Sequence, residues 1–258
     1  MIKLIDVRAG YENKEVIHGA NVTFEPGKIT ALIGPNGCGK STLLKTLVRI
    51  IEHTGGEVLV DGEDVEQLSA AKLARKVAYL PQNKKAPDIT VLRMVLHGRF
   101  AYLSYPRRYR EQDIEIAKKA LCWAGMEHKE DEIVSHLSGG MQQKVYIAMA
   151  LAQDADTVLM DEPTTYLDVA HQLRLMELVK KLAADGKAVV MVLHDLTQAL
   201  QIADKVVVMK DGKIIAQGTA DEVYESASLQ SAFKVKVERV EAQNQWTYFC
   251  KLKESMSV

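Results

Sequence analysis

Residues 34–44 read GPNGCGKSTLL, three glycines, a lysine and two hydroxyl residues set between an apolar run and a segment of helical character. The spacing fits G-x-x-x-x-G-K-[ST], with Gly34, Gly39, Lys40 and Ser41 at the fixed positions. A glycine-rich turn lets successive backbone N–H groups face one concavity, and the following helix adds the positive end of its dipole. The loop formed by Gly34, Pro35, Asn36, Gly37, Cys38 and Gly39 is therefore expected to cradle a polyphosphate. Lys40 is expected to reach its β and γ phosphates, Ser41 to ligate Mg²⁺, and Thr42 to support the α phosphate. Cys38 reads as a small filler facing away from them. A plain glycine-rich turn is the competing reading; it leaves the Lys-Ser register between strand and helix unexplained.

The flanks carry the fold. Four short apolar runs, ITALI (29–33), KVAYL (76–80), TVLM (157–160) and AVVMVL (188–193), are unbroken by polar alternation, which predicts parallel strands buried on both faces. Helical segments intervene, KSTLLKTLVRII after the first, HQLRLMELVKKLAA after the third and DLTQALQIAD after the fourth, so the class is α/β. Between about 84 and 154 strand signals cease, and three helical stretches appear around TVLRMVLHG, EQDIEIAKKALCWAG and GGMQQKVYIAMALAQ. The expected organisation is a core from 1–83 and 155–225, a helical insertion at 84–154 and an extension at 226–258. In the extension Trp246, Tyr248, Cys250 and Leu252 alternate with period two, predicting a hairpin with FKVKVERV across AQNQ.

Ligands of doubly wound sheets gather at the carboxyl ends of the strands. ITALI runs into the phosphate loop, KVAYL into Gln82, TVLM into Asp161 and Glu162, and AVVMVL into His194. Asp161 stands where a carboxylate holds Mg²⁺ through water, and Glu162 where one acts on a water in line with the γ phosphate. Singly, Gln82 reads equally as a loop amide, His194 as a helix cap and the two acids as solvated. Together, at four strand ends, they favour a hydrolase.

The remaining composition sets bounds. With 33 basic and 34 acidic residues there is no global field drawing the chain to nucleic acid or an acidic membrane. Hydrophobic residues make up 47%, enough for a large core. Cys38, Cys122 and Cys250 have neither disulfide nor metal spacing, which points to a reducing compartment. The polar start is not that of a signal peptide, and every apolar run is far shorter than the ~20 residues that span a bilayer.

Two further stretches carry a family resemblance. LSGGM (137–141) followed by VLMDEP (158–163) resembles the signature and Walker B segments of the nucleotide-binding subunits of ATP-binding cassette (ABC) transporters. The resemblance runs from Tyr11 to KDGKIIAQGTADEV (210–223) and implies a P-loop NTPase fold, with a mostly parallel core sheet, an antiparallel β subdomain and the inserted helical subdomain. Ser138 ahead of Gly139 and Gly140 at a helix start makes a second anion site. In the family it completes the site of a second subunit, sandwiching two ATP molecules in a head-to-tail homodimer. The resemblance further implies that Tyr11 stacks on adenine, that Gln82 touches Mg²⁺ and the attacking water, and that Glu162 is the catalytic base. It makes His194 the switch histidine on the γ phosphate and Asp168 the loop aspartate coupling the two sites. Met141 departs from the usual glutamine, which is expected to alter contacts without loss of activity.

DEPTTYLDVAHQ (161–172) is similar to the ATPases of type II importers for ferric siderophores, haem or vitamin B12, with the ATPase of another ABC transporter substrate class as the alternative, since other importer ATPases differ here by only a few residues. That likeness implies integral-membrane permease partners, a substrate-binding protein acting indirectly, and a peripheral place on the cytoplasmic face of the membrane. In HGRFAYLSYPRRYREQD (97–113), Arg99, Arg107, Arg108 and Arg110 interleave with Phe100, Tyr102, Tyr105 and Tyr109. This mix is expected to serve as a permease contact; a solvated face and single-stranded nucleic acid are the alternatives, the latter disfavoured. A soluble repair or translation ABC protein would carry a long coiled coil or two cassettes, and an inactive cassette would lack Glu162 or His194.

Overall fold

The computed structural model describes residues 1–12, 14–82, 85–242 and 245–252. The chain opens with β1 (Ile2–Tyr11) paired antiparallel to β2 (Lys14–Phe24), and β3 (Ile29–Ile33) then leads into α1 (Lys40–Leu47). β4 (His53–Val60), β5 (Glu63–Asp64), α2 (Ala70–Lys76) and β6 (Val77–Leu80) follow. Next come α3 (Val91–Leu96), α4 (Glu111–Trp123) and α5 (Gly139–Ala152), with no strand among them. Strands and helices then alternate as β7 (Thr157–Asp161), α6 (Val169–Ala184), β8 (Ala188–Val192), α7 (Leu196–Ile202) and β9 (Lys205–Lys210). β10 (Lys213–Gly218), α8 (Ala220–Glu225), α9 (Ser228–Phe233), β11 (Val235–Ala242) and β12 (Gln245–Leu252) close the described chain.

Six strands form the central sheet in the order β10-β9-β3-β8-β7-β6, parallel except for β10. Every residue of β3, β7 and β8 is buried, as unbroken apolar runs require. Alternate side chains serve two cores. Ala31, Ile33, Met160 and Met191 face the helices from the insertion and α6, whereas Leu32, Leu159, Val190 and Val192 pack with Leu43, Leu44 and Leu47 of α1. The second core is closed by a four-stranded antiparallel sheet, β2-β1-β4-β5, whose Ile2, Leu4, Val7 and Phe24 point inward. The helix after the phosphate loop is thus clamped between two sheets, which fixes the direction in which its N-terminus points.

The antiparallel sheet was implied by resemblance alone, and β1 shows why its periodicity is hidden. Its register with β2 slips between Leu4 and Val7, where Asp6 turns left-handed at φ 48, so the inward set changes from even to odd positions. Gly56 of β4 accommodates that bulge, because a Cβ there would sit 2.3 Å from the Asp6 carbonyl oxygen. The terminal hairpin is present, with Tyr248 buried and its hydroxyl 3.2 Å from Asp221. Gln243 and Asn244 of its expected turn, residues 253–258 of the expected extension, and residues 83 and 84 at the expected core boundary lie outside the described residues.

One surface expectation is corrected. Arg99 and Tyr102 are internal fasteners. Residues 97–102 form a 3₁₀ turn pressed on α5, so close that a Cβ at Gly98 would lie 2.3 Å from the Met149 carbonyl oxygen. This turns Arg99 inward, where it donates to Asp113 Oδ1 and to the Ala152 carbonyl, both at 3.0 Å, and lies 3.8 Å over the Tyr102 ring. Tyr102 in turn donates to the Gln153 carbonyl at 3.0 Å. Phe100, with Arg107 4.5 Å above its ring, and Tyr105 stay exposed. Among the described residues no helix is long and apolar enough to cross a membrane.

Candidate functional site

The carboxyl ends of β3, β6, β7 and β8 open on one cleft of about 630 Å³. Lys40, Ser41 and Thr42 form its floor with Asn36, Gly37 and Gly39, while Gln82, Glu162 and His194 make one wall and Tyr11 the other. Gly39 caps α1 at φ 106, a conformation that favours glycine, and a Cβ there would also have to displace the Ile17 Cδ1 methyl, 2.7 Å away. The buried Lys40 ammonium bends back onto the loop, donating to the Gly34 carbonyl at 2.8 Å and the Pro35 carbonyl at 3.0 Å. Cys38 is buried behind it, its thiol pushed up by that burial.

Below Lys40 lies a compact polar cluster. Ser41 Oγ donates to Asp161 Oδ1 at 3.0 Å, and Tyr79 OH donates to Asp161 Oδ2 at 3.3 Å. Burial, and after it the neighbouring Glu162 charge, raise the Asp161 carboxyl from its ordinary value, with the Ser41 and Tyr79 bonds acting the other way; burial also raises the Tyr79 phenol. Ser41 and Asp161 supply hard oxygen donors, one of them a carboxylate, at the floor of the cleft. That donor set suits Mg²⁺, which takes few protein ligands and fills its shell from phosphate and water. Among the described residues there is no cluster of three or more His, Cys, Asp or Glu that could hold a metal by itself.

Glu162 follows Asp161 in the left-handed region, φ 52. For a non-glycine residue that costs on the order of 1–3 kcal/mol, held in place by its surroundings. The turn delivers the carboxylate between two partners, Gln82 Nε2 on one oxygen and His194 Nε2 on the other. Three strand ends thereby meet on one carboxylate.

The remaining expected residues lie apart from this cleft. Ser138 caps α5, its Oγ accepting from Met141 N at 3.4 Å, with Gly139 and Gly140 in the first turn. Asp168 caps α6, accepting from His171 N at 2.9 Å. None of the four lines the cleft. Two lining or supporting residues escaped the sequence reading: Val16 of β2, whose strand gave no clear period, and Tyr79, the one hydroxyl in β6. The signal for Tyr79 was its place in a buried strand three residues before Gln82.

The geometry yields one result about Asp161. Its carboxyl is raised relative to the unfolded chain, so its charge at neutral pH opposes folding, and the penalty disappears as pH falls below the ordinary carboxylate range. Asp161→Asn is therefore expected to raise the melting temperature of the nucleotide-free chain at neutral pH, with the gain shrinking on acidification. A lower melting temperature at neutral pH would contradict it.

Fold and cleft together define a nucleotide-binding ATPase of the phosphate-loop class. Residues 17–165 match the family model described as ABC transporter. The iron(3+)-hydroxamate import ATP-binding protein of Bacillus subtilis (strain 168) is 41% identical over 233 residues, covering 90% of this chain and 87% of that protein. One petrobactin import ATP-binding protein of Bacillus anthracis is 40% identical over 228 residues, covering 88% and 84%. Among solved structures, a dimeric bacterial ABC transporter cassette has a TM-score of 0.77 at 30% identity and covers 85% of this chain and 99% of its own. The chain belongs to the ABC transporter family, and it is an ATP-hydrolysing member.

Proposed function

We propose that the chain energises import of an iron(3+) chelate of the siderophore kind, working as a homodimer beneath integral-membrane permease subunits on the cytoplasmic face of the membrane. The two relatives are named as ATP-binding proteins for import of petrobactin and of iron(3+)-hydroxamate, and they are about equally similar to this chain, so the class of cargo is supported and the particular chelate is not selected. A substrate-binding protein would deliver it to the permease. Residues 1–83 and 155–225 would serve as the catalytic core and 84–154 as the helical subdomain, whose exposed Phe100, Tyr105 and Arg107 offer anchors for the permease.

The observation that carries the mechanism is the meeting of Gln82 and His194 on Glu162, opposite Lys40 in the same cleft. Tyr11 would stack on adenine, the 34–39 loop and Lys40 would hold the phosphates, and Thr42 would support the α phosphate. Ser41, Asp161 and Gln82 would hold Mg²⁺, which when bound neutralises phosphate charge. Glu162 would take the proton of the attacking water, and His194, released from Glu162, would turn to the γ phosphate. Ser138, Gly139, Gly140 and Asp168 stand outside the cleft because, on this reading, they complete the partner's site in a head-to-tail sandwich.

The test is uptake of radiolabelled ferric siderophore in cells deleted for this chain and complemented with it or with Glu162→Gln. Uptake restored only by the parental chain is expected. Equal restoration by the variant, or undiminished uptake in the deletion strain, would refute the reading.

A further inference from the structure

Asp168 is joined to α5 by a relay that no residue of the cleft takes part in. His171, in the first turn of α6, has Nδ1 2.7 Å from Asp168 Oδ1, and its Nε2 meets the ammonium of Lys144 on α5. Both outer partners have fixed roles. A carboxylate can only accept and an ammonium can only donate, so the ring must donate from Nδ1 and accept at Nε2. One arrangement satisfies both contacts, the neutral Nδ1–H tautomer. Lys144 is partly withdrawn from water, and that burial lowers its ammonium, so the imidazole lone pair is a partner it needs.

The relay spans two pieces that must act together if the dimer reading above is right, and the inference rests on that reading. α5 begins at the Ser138–Gly140 lip, and α6 begins at Asp168. One turn into α5, Gln143 Nε2 donates to the Pro163 carbonyl at 2.8 Å, directly after Glu162. A Cβ on Gly140 would lie 2.9 Å from the Tyr166 carbonyl. The segment from Pro163 to Asp168 is thus tied to α5 near both ends, by an amide at one and by Lys144 and His171 at the other. A shift of α5 as its lip meets a triphosphate would carry Lys144, and through the ring Asp168, with it.

We propose that His171 is a positioning residue that, bridging Lys144 and Asp168, links occupancy of the partner's nucleotide at the signature lip to the placement of Asp168. Two measurements on the full chain test this. Nitrogen-15 spectra of the histidine-labelled protein at neutral pH should show His171 as the Nδ1–H tautomer; an Nε2–H tautomer would overturn the relay without any substitution. In ATPase assays, His171→Phe and Lys144→Met should each reduce kcat about tenfold, within the range that misplacing a remote positioning group costs. Their Hill coefficients should fall toward unity, while ATP affinity titrated on the dilute, monomeric chain stays parental. The double variant should be no worse than either single one.

His171→Phe keeps the backbone N–H that donates to the Asp168 cap of α6, so the helix start survives the change. Lys144→Arg, which retains a cationic donor, should preserve cooperativity. Parental kcat and Hill coefficient in both single variants would overturn the proposal, as would equal losses in Lys144→Arg and Lys144→Met, which would assign the effect to packing. A parental chain that hydrolyses ATP with no cooperativity would remove the two-site reading itself, and this inference with it.

Discussion

Glu162→Gln is expected to bind ATP, dimerise and stop. The substitution is nearly isosteric, and the two contacts on residue 162 survive it. His194 can still donate to the remaining carbonyl oxygen, and Gln82 can rotate its amide to offer oxygen to the new NH₂. What disappears is the group able to accept a proton from water. Positioned general bases contribute roughly 10²–10⁴-fold to rate, so ATP hydrolysis should fall by about that factor with the melting temperature little changed. On the head-to-tail dimer proposed above, size-exclusion chromatography with ATP should shift the variant to twice its monomer mass. Hydrolysis at the parental rate would take the base role from Glu162. A variant that lost hydrolysis yet stayed monomeric at saturating ATP would refute the split pocket.

The residues behind this expectation were legible for a simple reason. Strands buried on both faces leave little room for polar residues, so a polar residue at such a strand's carboxyl end stands out. ITALI, KVAYL, TVLM and AVVMVL all proved to be strands of one sheet, and their polar successors meet in one cleft. The hairpin was readable from the period of two in Trp246, Tyr248, Cys250 and Leu252, and its pairing runs without a register slip from Val235 opposite Leu252 to Ala242 opposite Gln245, although only Tyr248 of those four is buried. By contrast, β1 changes its inward face at Asp6, so a period of two never accumulates.

Other features hid because chemistry does not announce burial. Arg99 carries the same charge as Arg107, and only the approach of Gly98 to α5 turns one inward and leaves the other over an exposed Phe100. Tyr79 looks like any strand aromatic until the register of β6 beside β7 sets its hydroxyl on Asp161. The separation of Ser138 from the cleft is implied only by the family resemblance, which says nothing of where Asp168 lies relative to it. Spacing along the chain cannot tell a half-site for another copy from an ordinary helix cap, and Ser138 does cap α5.

Lys40→Ala should have the largest effect on binding. In the parental chain the ammonium is buried and held by the carbonyls of Gly34 and Pro35, so it is ordered before any phosphate arrives and loses little further entropy on meeting one. Its removal takes away the cation at the cleft floor and leaves those two carbonyls with their negative ends unpaired next to the phosphates. A hydrogen bond to a charged group is worth about 1.5–3 kcal/mol, which corresponds to a loss of affinity of roughly 10- to 150-fold. The loop amides and the α1 dipole remain, so binding should be weakened rather than abolished, and Mg²⁺-ATP should lose more affinity than adenosine, which has no phosphate to miss the charge. A fluorescent-nucleotide titration run beside a melting curve separates this from loss of fold. An intact variant with parental ATP affinity would show that the loop amides alone hold the phosphates and that Lys40 is only a strut bracing its own loop.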